Sequence, residues 1–193
     1  MKNSILSILI GALLLFMWNA ISWMVLPFHA NTLNNIPETS MDRQVLQESL
    51  PKDGVYHYPG FPKDDSAKSR EMLASKLAEG PRITLMVFKK GGTSLFEVKT
   101  FVGNFGLNVM TVLVLLVVVS QMRNKSLKSI LTTTTFIGLI VGLTSDLPQM
   151  NWYLFPMDYT LVNVLDHLVS FSLVGLLFGL FTFRNETSEG GKK

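Results

Sequence analysis

The sequence predicts an all-α membrane protein, a bundle of four transmembrane helices with a small α+β extracytoplasmic domain between helices 1 and 2. Four apolar runs lead to this prediction, because each is long enough to cross a bilayer as a helix, which takes about 20 residues. Hydrophobic residues make up 48% of the chain and charged residues only 16%, a composition typical of membrane proteins. There is no cysteine, which excludes disulfides and thiolate chemistry.

The first run predicts a retained transmembrane helix over residues 5–27. A signal peptide is the alternative, but the run exceeds the roughly 7 to 15 apolar residues of a signal peptide and lacks a small-x-small cleavage site. Pro27 ends the helix because proline cannot continue its hydrogen-bond ladder. Trp18 and Trp23 lie near that end, where they suit the aromatic belt of a membrane interface.

A water-exposed α+β domain is predicted over residues 28–100. This segment mixes charged residues with Pro and Gly and contains no apolar run long enough to span a membrane. Ser66 can cap a helix that reaches Ala78. Residues 55–58 and 82–88 have the composition or alternation of strands. A domain of this size buries little apolar surface by itself.

Three further runs predict helices over residues 101–122, 129–147 and 160–183, followed by a cytoplasmic tail over 184–193. Pro148 is expected to stop the third helix.

Charge in the short loops predicts the orientation of the helices. Arg123, Lys125 and Lys128 make the segment between helices 2 and 3 basic, whereas residues 148–160 contain neither Lys nor Arg. The positive-inside rule then places both termini in the cytoplasm and the 28–100 domain outside. No basic stripe interleaved with aromatic residues occurs, so nucleic acid is not a predicted partner.

Polar residues interrupt the predicted helices within the outer half of the membrane. At about 100° per residue, four of them share one side of helix 4, and helices 1 and 2 carry others at similar depth. Two more are expected at the rim, after helix 1 and at the end of helix 3. The candidate ligand-binding residues are Asp166, His167, Asn163, Ser170, Asn19, Ser22, Asn104, Asn108, His29 and Asp146.

This pattern predicts a polar pocket with Asp166 as its anion and His167 or His29 as a titratable partner. An ionisable group within a span costs free energy, so its presence there usually marks a functional site. Interhelical hydrogen bonds that serve packing alone are the alternative. A metal held by the acidic and histidine residues is a weaker alternative, since no zinc-motif spacing occurs. No nucleophile turn is present either, so no catalytic residue, metal or cofactor is predicted.

Glycine pairs four residues apart predict close helix packing. Gly138 and Gly142 lie in the third helix, and Gly175 and Gly179 lie in the fourth. Such small-residue pairs allow helix backbones to approach closely. The two helices can use them on each other, or a homodimer can use them as its interface.

Several short motifs are spread along the chain. They consist of Trp18, Ser22, Trp23, Leu26, Pro27, Phe28 and His29, then Gly54, Val55, Tyr56, Gly80 and Pro81, and last Asn151, Trp152, Tyr153, Phe155 and Pro156. Together these motifs resemble a family of small bacterial inner-membrane proteins of uncharacterised function with four predicted spans. The resemblance covers most of the chain and implies a multi-pass protein of the bacterial inner membrane, without implying an activity.

Polarity without catalytic geometry favours a non-enzymatic protein that binds a partner protein, lipid or small solute through its outward domain and its polar pocket. One alternative is a small transporter or an ion- or proton-conducting subunit that uses Asp166 and His167. Another is a membrane-embedded enzyme acting on a lipid. The predicted partners are the lipid bilayer and a membrane or periplasmic protein, with a homo-oligomer as a further alternative.

Overall fold

A computed structural model describes residues 2–37, 43–94 and 96–184. The chain divides into two compact units. One unit combines Met1–Asn34 with Leu95–Lys193, and the other is Asn35–Ser94. His29 therefore belongs to the unit that holds the long helices, although the sequence assigned residues 28–100 to the water-exposed domain.

The first long helix is α1 (Lys2–Ala20), which continues into a π-helical turn at Ile21–Val25. Leu26 has an extended backbone, and Pro27 then begins the short helix α2 (Pro27–Ala30). Proline suits this position because its missing N–H would have no partner in the first helical turn. The chain therefore turns sharply where the sequence predicted the helix to end.

In the second half of the chain, α5 (Val98–Ser120) is followed by α6 (Leu127–Val141), a π turn at Gly142–Asp146 and α7 (Leu147–Tyr153). The predicted stop at Pro148 is wrong. Pro148 lies in the first turn of α7, directly after the π turn, where a missing N–H costs little. The helical path therefore continues to Tyr153.

The last long helix is α8 (Met157–Leu177), which ends in a third π turn at Phe178–Thr182. It starts three residues before the predicted start at residue 160, because the connection after α7 is only Leu154, Phe155 and Pro156. In the described part of the chain four helical segments are long and apolar enough to cross a membrane: Ser4–Val25, Val98–Ser120, Leu127–Tyr153 and Met157–Thr182.

Within this unit α1 packs along α5, α6 packs along α8, and α1 also contacts α8. The buried core includes Val112 and Val119 from α5, Ile130 from α6 and Val174 from α8, all fully buried. Large apolar side chains such as Leu113 point away from the neighbouring helices and stay exposed, as they do on a helix whose outer surface faces lipid.

The glycine pairs lie between α6 and α8. A Cβ at Gly138 would come within 2.8 Å of the His167 carbonyl oxygen, and one at Gly142 would come within 3.0 Å of Val164. A Cβ at Gly175 would overlap the hydroxyl of Thr134. The glycines are therefore used for packing inside one chain, the first of the two predicted uses.

The second unit contains α3 (Arg43–Ser49), β1 (Gly54–Tyr58), α4 (Ala67–Glu79) and β2 (Ile83–Phe88). The two strands pair antiparallel with Gly54 opposite Phe88. Ser66 caps α4 by accepting a hydrogen bond from the backbone N–H of Ser69, as its position predicted. No described residue of α4 is buried, which agrees with the small core expected for so short a segment.

Candidate functional site

Asp166 accepts two hydrogen bonds from the first helical segment. The indole Nε1 of Trp18 donates to its Oδ1 over 2.6 Å, and the hydroxyl of Ser22 donates to the same oxygen over 2.8 Å. The Asp166 side chain is only 11% exposed. Donation to a carboxylate is stronger than donation between neutral groups, so these contacts offset part of the cost of burying the charge.

His29 lies on the far side of Ser22, with 3.0 Å between its Nε2 and the Ser22 oxygen. A hydroxyl has one hydrogen, and that of Ser22 goes to Asp166. Ser22 must therefore accept from His29, which places a proton on Nε2. The result is a chain of hydrogen bonds from His29 through Ser22 to the carboxylate, while His29 Nε2 stays 3.8 Å from Asp166 Oδ2.

The His29 side chain is buried inside the protein, with only 2% of it exposed. The turn at Leu26 and Pro27 returns the chain onto the first helical segment, and the imidazole then stacks on the indole of Trp23 with 3.9 Å between ring centres. Burial lowers the pKa of His29, and the negative charge of Asp166 offsets this only partly. Its Nδ1 is buried and has no hydrogen-bond partner among the described residues.

His167 pairs with Asp146 and not with Asp166. Its Nε2 lies 3.1 Å from Asp146 Oδ2, a carboxylate placed by the last residue of the second π turn. Consecutive residues on a helix point about 100° apart, so Asp166 and His167 reach different neighbours. Of the two partners that the sequence offered for Asp166, the structure brings only His29 close.

A cavity of about 660 Å³ lies beside these two pairs. Asparagine supplies four of its lining residues, and Asp166 and His167 supply its ionisable groups. Aromatic rings form part of the remaining wall. Its lining residues are Leu15, Phe16, Asn19, Ala20, Trp23, Met24, Phe101, Asn104, Asn108, Thr111, Val141, Asn163, Asp166, His167, Ser170 and Phe171.

Seven of the ten candidate residues line the cavity. The other three lie behind its wall: Ser22 and His29 support Asp166, and Asp146 holds His167.

Two polar atoms at the cavity wall have no hydrogen-bond partner in the part of the chain that the structure describes. Asn108 is 7% exposed, and its Nδ2 donates to nothing. Asp166 Oδ2 accepts no hydrogen bond, since Trp18 and Ser22 both use the other oxygen. For the buried Nδ2 of Asn108, the lack of a partner is unfavourable unless water or a ligand completes it.

Trp18 is the residue that sequence reasoning missed, because a tryptophan near a helix end was assigned to the membrane interface. The available signal was its spacing from Ser22, since residues four apart lie on one side of a helix. Trp23 was also assigned to the interface, whereas it stacks on His29 and lines the cavity.

Two of the three π turns position residues of this site. Ile21–Val25 carries Ser22 and Trp23, and Gly142–Asp146 ends at the carboxylate that holds His167. π turns occur often at functional sites, because the extra residue rotates the following side chains relative to a regular helix. Their position cannot be predicted from apolar periodicity.

Among residues 2–37, 43–94 and 96–184, no group of three or more His, Asp or Glu side chains is placed to hold a metal ion. The four residues considered for such a site form two separate pairs instead, His29 with Asp166 and His167 with Asp146.

Comparisons with protein-family models, curated proteins and solved structures find no match for this chain. The class of protein therefore follows from fold and site. It is a mostly helical chain with four helices able to span a membrane, which places a polar cavity and a hydrogen-bonded carboxylate among them.

Proposed function

We propose that this chain is a non-enzymatic multi-pass membrane protein that binds a small ligand, either a solute or the head group of a lipid, in the cavity beside Asp166. The observation that carries the proposal is a buried carboxylate fixed by Trp18 and Ser22 on one oxygen only, at the wall of a 660 Å³ cavity. Cavities of this size suit small organic ligands, for which a few fixed polar groups provide specificity.

The geometry supports binding better than catalysis. Asp166 Oδ1 is already occupied by two donors, and His167, the other ionisable residue of the cavity wall, is held by Asp146. A general acid or base must be free to exchange a proton with the substrate and must lie within hydrogen-bond distance of the reacting atom. Ser22 is fully buried and does not line the cavity, so its hydroxyl cannot reach a ligand there as a nucleophile.

In this proposal the four helices cross the bacterial inner membrane with both termini in the cytoplasm. The unit of residues 35–94 then lies outside and provides a surface for a membrane or periplasmic partner protein. The basic loop with Arg123, Lys125 and Lys128 supports this orientation.

The absence of native cysteine makes the orientation directly testable. We expect a membrane-impermeant maleimide to label Lys63→Cys in intact spheroplasts and to label Arg123→Cys only after lysis. Both side chains are exposed, so accessibility differs only by the side of the membrane. Labelling of Arg123→Cys in intact spheroplasts would reverse the orientation.

Ligand binding is tested with the purified full-length protein by thermal unfolding against a panel of cationic, anionic and neutral solutes and lipids. We expect at least one compound to raise the melting temperature of the wild type and to have no effect on Asp166→Asn. Asp158→Asn is the matched control, since Asp158 is exposed in the first turn of the same helix and does not line the cavity. A panel without any stabilising compound contradicts the proposal.

The hydrogen-bond chain from His29 through Ser22 to Asp166 favours one second function, proton transfer in a transporter. In this alternative His29, and not His167 as the sequence predicted, is the titratable partner of Asp166. Proton flux in proteoliposomes that is lost in Ser22→Ala and kept in Ser170→Ala would favour it, because only Ser22 links the two titratable groups.

A further inference from the structure

One side of α5 changes from polar to apolar along its length. Asn104, Asn108, Thr111, Leu115 and Val118 follow one another at spacings of four, three, four and three residues, which places them along one stripe of the helix. The first three line the polar cavity. The last two line a second cavity of about 310 Å³.

The second cavity is almost entirely apolar and adjoins the first. Thr111 and Phe171 line both cavities, and the Thr111 hydroxyl donates to the Leu107 carbonyl of its own helix. The residues that line the second cavity are Met110, Thr111, Val114, Leu115, Val118, Ile137 and Phe171. A polar and an apolar compartment in sequence along one helix match a ligand with a head group and a chain.

The polar compartment has the charge pattern of a cation site. Among the described residues, no Lys or Arg lines it, and the only carboxylate that lines it is Asp166. Among the described residues Asp166 Oδ2 accepts no hydrogen bond, with His29 Nε2 3.8 Å away, so it can accept one from an ammonium group. The aromatic residues Phe16 and Trp23 line the same wall, and aromatic rings attract cations.

Asn108 sets a second requirement for the ligand, in addition to a positive charge. Its unpaired and buried Nδ2 needs an acceptor, which an ammonium group cannot provide. A ligand that satisfies both residues carries a hydrogen-bond-accepting oxygen next to its ammonium group. An anionic head group without an amine would instead meet the carboxylate of Asp166 at close range, which costs free energy in a site of low dielectric constant.

We infer that the ligand is an amphiphile whose head group carries an ammonium group beside an acceptor oxygen, with the ammonium on Asp166, the oxygen on Asn108 and the hydrocarbon chain along Val114 and Val118. This inference rests on the proposed ligand-binding function. It narrows the ligand from solutes and lipids in general to amine-bearing lipids.

The three tryptophans provide a direct binding signal. Two of them, Trp18 and Trp23, lie at the site, and the third, Trp152, is 73% exposed and absent from both cavity walls. In a Trp152→Phe protein all indole fluorescence therefore reports on the site. This protein is placed in phosphatidylglycerol nanodiscs and titrated with lysophosphatidylethanolamine.

Ligand chemistry is varied first, because it needs no further change in the protein. We expect lysophosphatidylethanolamine to bind and its N-acetylated form, which lacks the positive charge, to bind on the order of tenfold or more weakly. Lysophosphatidylglycerol with the same chain should be similarly weak. Free ethanolamine, which has the amine without the chain, separates a soluble amine from a lipid.

Protein variants then assign the two compartments. Asp166→Asn should remove the preference for the amine over its N-acetylated form. Val114→Phe adds a larger side chain in the apolar cavity and should weaken binding of the long-chain ligand. Val117→Phe makes the same change at a position that lines neither cavity, so it should leave this binding unchanged. If Asp166→Asn cannot be purified, the comparison of the amine with its N-acetylated form in the Trp152→Phe protein still decides the charge requirement.

The possible outcomes separate this inference from the proposed function. Binding of an anionic or uncharged compound in preference to the amine overturns the inference and keeps the binding function. The inference that the ligand is an amphiphile is overturned if ethanolamine and the lysolipid bind equally well. It is also overturned if Val114→Phe and Val117→Phe have equal effects. Binding of none of these lipids together with an inactive solute panel overturns both.

Discussion

The last long helix has two faces with opposite requirements. One face presents Asn163, Asp166 and Ser170 to a cavity, and the other presents Gly175 and Gly179 to α6. The polar face leaves space and is completed by hydrogen bonds from another helix. The glycine face leaves no space for even a methyl group. In the proposed membrane setting a helix gains nothing from burying apolar surface against another helix, so close fit and polar contacts hold the helices together.

The glycine face can be disrupted by a single added methyl group. A Cβ at Gly175 would overlap Thr134, so Gly175→Ala should destabilise the protein by about 1–3 kcal/mol through overpacking. Gly103→Ala is the control, since a Cβ at this α5 position meets nothing within 4 Å and alanine favours a helix by about 1 kcal/mol. Thermal unfolding in detergent measures both. Equal melting temperatures would mean that α6 and α8 do not pack through Gly175.

The polar face can be broken at its donor. Trp18→Phe keeps the aromatic ring but removes the N–H that binds Asp166, which should cost about 1–3 kcal/mol because a charged group loses a hydrogen bond. Trp152→Phe, at an exposed tryptophan without this contact, should leave stability unchanged. Differential scanning fluorimetry of the two variants checks this prediction, and a matching loss in both would remove Trp18 from the site.

A smaller effect is expected from pH. Burial lowers the pKa of His29 below its ordinary value of 6.5, so the unfolded chain binds this proton more readily than the folded chain. Stability from this residue is complete above pH 6.5 and is lost as the pH falls towards the lowered pKa. His29→Gln should flatten this part of the melting-temperature profile. A wild-type profile that rises on acidification contradicts the neutral His29.

The smallest effect is expected between α6 and α8, where the hydroxyls of Thr135 and Ser172 lie 2.7 Å apart. Hydrogen bonds between membrane helices contribute about 0.6 kcal/mol on average, so Ser172→Ala should lower stability by about that amount. A double-mutant cycle with Thr135→Val isolates the pair. A coupling energy as large as the effect of Gly175→Ala would mean that polar contacts, not close packing, hold this interface.

Much of the long-helix architecture could be predicted from local sequence, and its interruptions could not. Run length and hydropathy predict four helices, and the spacing of Gly175 and Gly179 predicts a close-packed face. Pro148 misled the prediction, because a proline stops a helix only where its N–H would be needed, and the preceding π turn removes that need. Asp166 was recognised as unusual because a carboxylate in an apolar run conflicts with its surroundings.

The sequence by itself determined that four long apolar runs form helices and which polar residues share a helix face, since both follow from the pattern within one segment. Only the tertiary structure decided that Asp166 is held by Trp18 and Ser22, that His29 is buried behind them, and that His167 belongs to Asp146. Partner choice between helices depends on their relative rotation. The π turns at Ile21–Val25 and Gly142–Asp146 change that rotation by one inserted residue each, and no local pattern records it.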